Sequence, residues 1–195
     1  MQTPILLFAP GAGAPSNSPW MERWAQRLAG LGEVVRFDYP YARAGRRTPD
    51  RLPALVAAHR AALEEARGGR GAPVVLVGKS MGARVGCHVA LLGGARAVVC
   101  LGYPLRGQSG AVRDAVLLEL STPVLFVQGT RDPLCPLELL DGVRGRMRAR
   151  SALHVVEGGN HSLELGRRAL RELGESQDEV DDRAVQAIRA FLSEA

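Results

Sequence analysis

Short, nearly unbroken apolar runs alternate along this chain with longer stretches whose apolar residues recur every three or four positions. The short runs cover residues 5–9, 34–37, 74–77, 97–101, 124–128 and 153–156. They are rich in Val, Leu and Ile and lack the alternation of a strand with one wet face. They therefore predict strands of a parallel sheet covered on both sides. The longer stretches predict helices over residues 19–31, 53–67, 81–92, 112–120, 136–147, 163–173 and 180–192. In the last of these Val180, Ala184, Ala187, Ile188 and Phe191 share one helical face, which suits docking onto a sheet. Strand followed by helix, repeated, predicts a doubly wound α/β sheet of about six mostly parallel strands with helices on both faces. The polar segment 172–182, with its acidic residues, reads as a solvated connection.

A chain of 195 residues suits a single domain spanning 1–195. No apolar run approaches the ~18 residues of a membrane span, and residues 5–9 have no basic residue before them, as a secretory signal would. Cys87, Cys100 and Cys135 stand at unrelated spacings without a CxxC pair, so a reducing cytoplasm is the expected setting. The net charge of +5 rests on a lopsided basic set, 24 Arg and a single Lys, Lys79. Arg accompanied by abundant Ala and Gly reads as genome composition. A nucleic-acid surface is the sharper alternative, but no recognition motif supports it. Arg144, Arg146, Arg148 and Arg150 fall near the expected end of a helix, where cations are favourable.

Ligands of such sheets bind beyond the carboxyl ends of the strands. After the strand at 74–77 comes Gly78-Lys79-Ser80-Met81-Gly82, a G-x-S-x-G sequence running into a predicted helix. A sharp strand-to-helix turn can hold a serine hydroxyl above the sheet, and the flanking glycines let the two elements approach closely. The Met81 N–H, at the helix N-terminus, is then placed to stabilise an oxyanion. A simple helix-capping Ser is the competing reading.

A nucleophilic serine needs a base. His59, His88 and His154 fall inside predicted helices or a strand, whereas His161 follows the last strand in Glu157-Gly158-Gly159-Asn160-His161. Asp132, in Gly129-Thr130-Arg131-Asp132-Pro133 after the fifth strand, is the acid that would orient it. Asp38 and Glu157 are the alternative acids. The loop Pro10-Gly11-Ala12-Gly13-Ala14 offers the Ala12 N–H as a second oxyanion donor. Neither G-x-x-x-x-G-K-[ST] nor G-x-G-x-x-G is present to cradle a phosphate. Lys79 is expected to pair with a carboxylate or to raise the local positive potential. Arg84 is expected to form a scaffold ion pair, and Cys135 to be incidental.

The order Ser80, Asp132, His161, each just after a strand, is that of the α/β-hydrolases. The chain resembles that superfamily over nearly its whole length, most of all the KANL3/Tex30-type branch, a relative of dienelactone hydrolases. The resemblance is carried by the loop 10–14, Arg36-Phe37-Asp38-Tyr39-Pro40-Tyr41, Gly78-Lys79-Ser80-Met81-Gly82-Ala83-Arg84, Gly129-Thr130-Arg131-Asp132 and Gly158-Gly159-Asn160-His161-Ser162. Pro10 stands where many relatives have His, and Ser80 where dienelactone hydrolases have Cys.

The expected activity is a serine esterase or thioesterase acting on small soluble acyl esters, without metal or organic cofactor, nucleic acid or membrane partner. Only residues 102–123 separate the fourth and fifth strands, too few for a large lid. The branch also includes subunits of larger assemblies, so a non-catalytic binding or scaffold protein of the same fold is the alternative.

Overall fold

The first apolar run forms strand β1 (Ile5–Ala9), and its side chains alternate between two core layers. Ile5, Leu7 and Ala9 enter one layer, and Leu6 and Phe8 the other. An unbroken apolar strand thus packs on both faces, each large side chain contributing about 1.5–3 kcal/mol through burial. A computed structural model describes residues 2–107 and 110–195. The other strands are β2 (Glu33–Arg36), β3 (Val74–Lys79), β4 (Ala97–Leu101), β5 (Val124–Gly129) and β6 (Ser151–Val156). They form one sheet in the order β2-β1-β3-β4-β5-β6, and every pairing is parallel.

The helices are α1 (Pro19–Leu28), α2 (Pro40–Arg43), α3 (Leu52–Arg67), α4 (Met81–Leu91), α5 (Ala115–Glu119), α6 (Leu137–Arg144), α7 (Arg167–Leu173) and α8 (Gln177–Glu194). Helices α1 and α8 cover one face with Met21, Trp24, Leu28, Val180, Ala184, Ile188 and Phe191. Helices α3, α4 and α6 cover the other with residues such as Leu55, Leu63, Val85 and Leu140. The chain steps outward from β1 to β2 and then back past β1 to β3, so successive crossovers lie on opposite faces. That reversal opens a crevice beyond the ends of β1 and β3, the usual ligand position in such sheets. None of the helices described is long and apolar enough to cross a membrane.

Several boundaries differ from expectation. The one-turn helix α2 was not expected; it begins at Pro40, whose ring fixes a helical φ. Residues 163–166 are loop, because Leu163 has φ 64° and the Asn160 side chain accepts from the N–H groups of Ser162 and Glu164. Helix α8 starts at Gln177, set by a capping box in which Ser176 and Glu179 bond reciprocally. Asp178–Asp182 is therefore helical. Asp181 is buried beside Arg23 and Arg27, which corrects the reading of 172–182 as solvated connection. Helix α6 ends at Arg144, leaving Arg146 to pair with Asp114 and Arg150 with Glu194. Between β4 and β5 the described chain holds the short α5 and an isolated bridge from Arg106 to Val112.

A buried histidine ties α3 to the segment after β2. His59 Nδ1 lies 3.1 Å from the Tyr39 hydroxyl, and Nε2 is buried with no hydrogen-bond partner. Burial pushes the His59 pKa down to about 3, so the folded protein holds this imidazole neutral. An unfolded chain takes up the proton near ~6.5. The folded state therefore loses stability as pH falls from ~6.5 toward about 3, by up to ~1.4 kcal/mol per pH unit. Above ~6.5 the ring is neutral in both states and adds no pH dependence. His59→Phe should flatten the acid limb of stability. Urea-unfolding midpoints through this range check it, and parallel curves for the two proteins would remove His59 as the cause.

Candidate active site

Ser80 sits between β3 and α4 with φ 50° and ψ −110°, one of two non-glycine residues described with positive φ. The conformation costs on the order of 1–3 kcal/mol and persists only where neighbours enforce it. They do so here through close approach. A Cβ on Gly78 would lie 2.2 Å from the Ala83 nitrogen, and one on Gly82 would lie 2.5 Å from the Ala9 carbonyl oxygen. The Ser80 N–H donates to the Leu101 carbonyl, and the Ser80 carbonyl accepts from Arg84. The hydroxyl consequently projects beyond the sheet at the N-terminus of α4.

His161 approaches from the loop after β6. Its Nε2 lies 2.8 Å from Ser80 Oγ and its Nδ1 lies 2.7 Å from Asp132 Oδ2. An ionised carboxylate only accepts, so Nδ1 carries the proton and leaves Nε2 to accept from the serine hydroxyl. Asp132 is buried, and its remaining capacity is met by Gln128 Nε2 and by the Leu134 N–H at 2.9 Å. The β5 and β6 loops are held in register by mutual contact, since a Cβ on Gly129 would lie 2.2 Å from the Gly159 carbonyl oxygen. A hydroxyl, an imidazole of fixed tautomer and a buried carboxylate in one hydrogen-bonded chain can move a proton off an attacking oxygen.

The loop 10–14 closes the opposite side. Ala12 lines a cavity of about 510 Å³ together with Trp20, Met21, Lys79, Ser80 and Leu134. The Ala12 and Met81 N–H groups have no protein partner among the described residues. Tyr41 accepts from the Gly13 N–H at 3.4 Å, and Asp38 accepts from both the N–H and the hydroxyl of Ser16, at 2.7 and 2.9 Å. These contacts pin the loop from the β2 side. A larger depression of about 690 Å³ lies at the amino end of the sheet against Arg96 and Leu192, remote from Ser80.

The alternative acids do other work: Asp38 holds the first loop, and Glu157 meets the Thr130 hydroxyl at 3.3 Å. Lys79 pairs with no carboxylate among the described residues, against the first of its two expected roles. It is buried, donates to the His161 carbonyl and lies 5.2 Å from the centre of the Trp20 ring. Burial pulls its pKa down to about 8, against the opposing pull of Asp132 and Glu164, so it remains mostly charged at neutral pH. Arg84 likewise forms no ion pair among the described residues; burial, then Arg113, lowers its pKa. Cys135 is buried and its thiol is pushed up to about 12, chiefly by desolvation, leaving it protonated.

Trp20 and Gln128 were not singled out from sequence. A polar Gln ending an otherwise apolar strand was the available signal for the second. No group of three or more His, Cys, Asp or Glu side chains able to hold a metal occurs among the described residues.

Residues 2–193 match the family described as Alpha/beta hydrolase domain. Among solved structures, an alpha-beta serine hydrolase homologue from Coxiella burnetii superposes with a TM-score of 0.72 at 20% identity, covering 94% of this chain and 85% of the other. Dienelactone hydrolase from Anabaena variabilis gives 0.70 at 19% identity over 98% and 86%. The RedJ thioesterase of prodiginine biosynthesis in Streptomyces coelicolor gives 0.69 at 19% over 96% and 90%. At these identities the structural likeness is one of fold. The fold, the parallel sheet and the family match agree: this chain belongs to the α/β-hydrolase domain family.

Proposed function

We propose that the protein is a serine hydrolase that cleaves small, soluble carboxylic esters or thioesters. The observation that carries this reading is the continuous chain from Ser80 Oγ through both ring nitrogens of His161 to Asp132. Thioesterase and dienelactone hydrolase activities among the structural relatives support the class. Ser80 stands where dienelactone hydrolases have Cys, so the reading is of a serine esterase or thioesterase and not of that exact activity.

In this reading His161 Nε2 takes the Ser80 proton as Oγ attacks the acyl carbon. The carbonyl oxygen, now negative, is met by the Ala12 and Met81 N–H groups and by the N-terminal dipole of α4. Asp132 stabilises the imidazolium without accepting its proton. His161 then protonates the departing alcohol or thiol. Water, deprotonated by the same nitrogen, attacks the acyl-Ser80 ester; the acid leaves and Ser80 regains its proton. The chemistry calls for no metal or organic cofactor, nucleic acid or membrane. Among the described residues no large cap covers the cavity of about 510 Å³, which favours soluble acyl groups over long lipids.

A fluorophosphonate probe should label the wild-type protein and not Ser80→Ala, and that substitution should lower kcat by roughly four orders of magnitude or more. A folded wild type that resists the probe would instead support a binding or scaffold protein. Because the base must be neutral, kcat/KM should fall on the acid side as the imidazole takes up a proton. A rate constant with no fall on the acid side would remove His161 from the role. With nitrophenyl esters, acetate and butyrate should be preferred over long-chain esters, and a preference for micellar substrates would contradict the open site.

A further inference from the structure

The residue before Ser80 touches the residue that would act as its base. Lys79 ends β3, and its side chain crosses beneath the loop after β6 to donate to the backbone carbonyl of His161. One residue further along, the Ser162 carbonyl accepts from Trp20 Nε1 at 2.9 Å. The same indole ring lies 5.2 Å from the Lys79 ammonium. Two donors from the β1 and β3 side thus hold adjacent carbonyls of the histidine loop.

The space for this contact is built into β4's end. Gly102 has φ 68°, and a Cβ there would lie 2.5 Å from the His161 carbonyl oxygen and 3.2 Å from Lys79 Nζ. Any side chain at 102 would occupy the position where ammonium and carbonyl meet. The loop also needs an external hold. Its internal turn around Asn160 fixes the backbone on either side of His161, and Arg23 pairs with Glu164 beyond it at 2.9 Å. Asn160 holds the N–H side of the peptide between His161 and Ser162, and neither contact holds its carbonyl.

We propose that Lys79 and Trp20 are positioning residues for the Ser80–His161 pair. By gripping the carbonyls of His161 and Ser162 they keep the imidazole within hydrogen-bonding distance of the hydroxyl. Since Lys79 is covalently next to Ser80, a shift of the nucleophile carries the grip with it, and the two reacting side chains stay in register. The inference rests on the hydrolase reading for its kinetic consequence and on the contacts alone for its structural one.

The test compares wild type, Lys79→Met and Trp20→Phe, with rates expressed per active site titrated by fluorophosphonate. Met keeps the length of the side chain and removes the donor and the charge; Phe keeps an aromatic ring and removes only the indole donor. A misplaced base is expected to lower kcat roughly ten- to a hundredfold in Lys79→Met, with KM within about twofold of wild type. Trp20→Phe should move kcat in the same direction by a smaller factor, and it carries the test if Lys79→Met does not fold. An independent readout is the His161 Nδ1 proton in an imidazole 15N–1H spectrum, which should exchange faster in both variants. Wild-type kcat per site together with an unchanged Nδ1 signal would overturn the proposal, leaving Lys79 as a space-filling residue. A raised KM with unchanged kcat would overturn it in favour of substrate contact. Should the wild type show neither labelling nor turnover, the hydrolase reading fails, and the imidazole spectrum still decides whether the grip exists.

Discussion

The close approach of β3 to α4 is the constraint from which the rest of the site follows. Two glycines bring strand and helix together so tightly that a methyl group at either position would overlap backbone. The chain between them must turn within a single residue, and Ser80 takes the left-handed conformation that this turn demands. The same contact places the N-terminus of α4 under the hydroxyl and presses Gly82 against the carbonyls of Ala9 and Pro10. The first loop and the Ser80 turn are thereby held against each other. A hydroxyl displayed this way gains exposure and a favourable dipole from one geometric requirement, at a backbone cost that the buried face of α4 offsets.

Electrostatics complete the site in an arrangement with few free charges. Asp132 is buried, and three donors from His161, Gln128 and Leu134 satisfy its carboxylate. A buried carboxylate without such donors would be costly to keep ionised. The second buried charge, Lys79, is distributed differently: a carbonyl and an aromatic face meet its ammonium rather than a counter-ion. An ion pair with Asp132 would compete with the imidazole for the same oxygen. Directing the lysine to the His161 carbonyl leaves Oδ2 to the ring nitrogen and the Gln128 amide.

The inner strands were legible because a strand buried on both faces is written as an unbroken apolar run, while the edge strands β2 and β6 carry polar, partly exposed residues and the strand order was not read from sequence. Ser80, Asp132 and His161 were legible because each follows such a run directly, and glycines beside them announce tight turns. Helix ends were harder. The loop at 163–166 looks helical by composition, yet Leu163 is held at positive φ by side-chain bonds from Asn160 that no periodicity reports. The start of α8 was readable in principle from Ser176 and Glu179, but the acidic run around them obscured it. Gln128 reaches Asp132 only four positions on and its polarity at the end of an apolar run was a signal left unused, whereas Trp20 acts on a residue 142 positions away. Local pattern carries no information at that range.

The lopsided use of basic residues acquires a physical meaning at one position. Arginines of this chain face carboxylates and carbonyls on the surface, as Arg23, Arg70, Arg150 and Arg183 do, where a planar fork of five donors suits partners with room around them. Position 79 offers no such room. A Cβ on Gly11 would stand 3.4 Å from Lys79 Cγ, and one on Gly102 would stand 3.2 Å from its ammonium, so the side chain runs through a channel bounded by glycine backbone. A guanidinium is wider than an ammonium and presents its donors in a fixed plane, whereas the ammonium can turn a single N–H onto the His161 carbonyl and rest against the Trp20 face. The single lysine stands where a compact, rotatable cation meets one carbonyl and one aromatic face between two glycines.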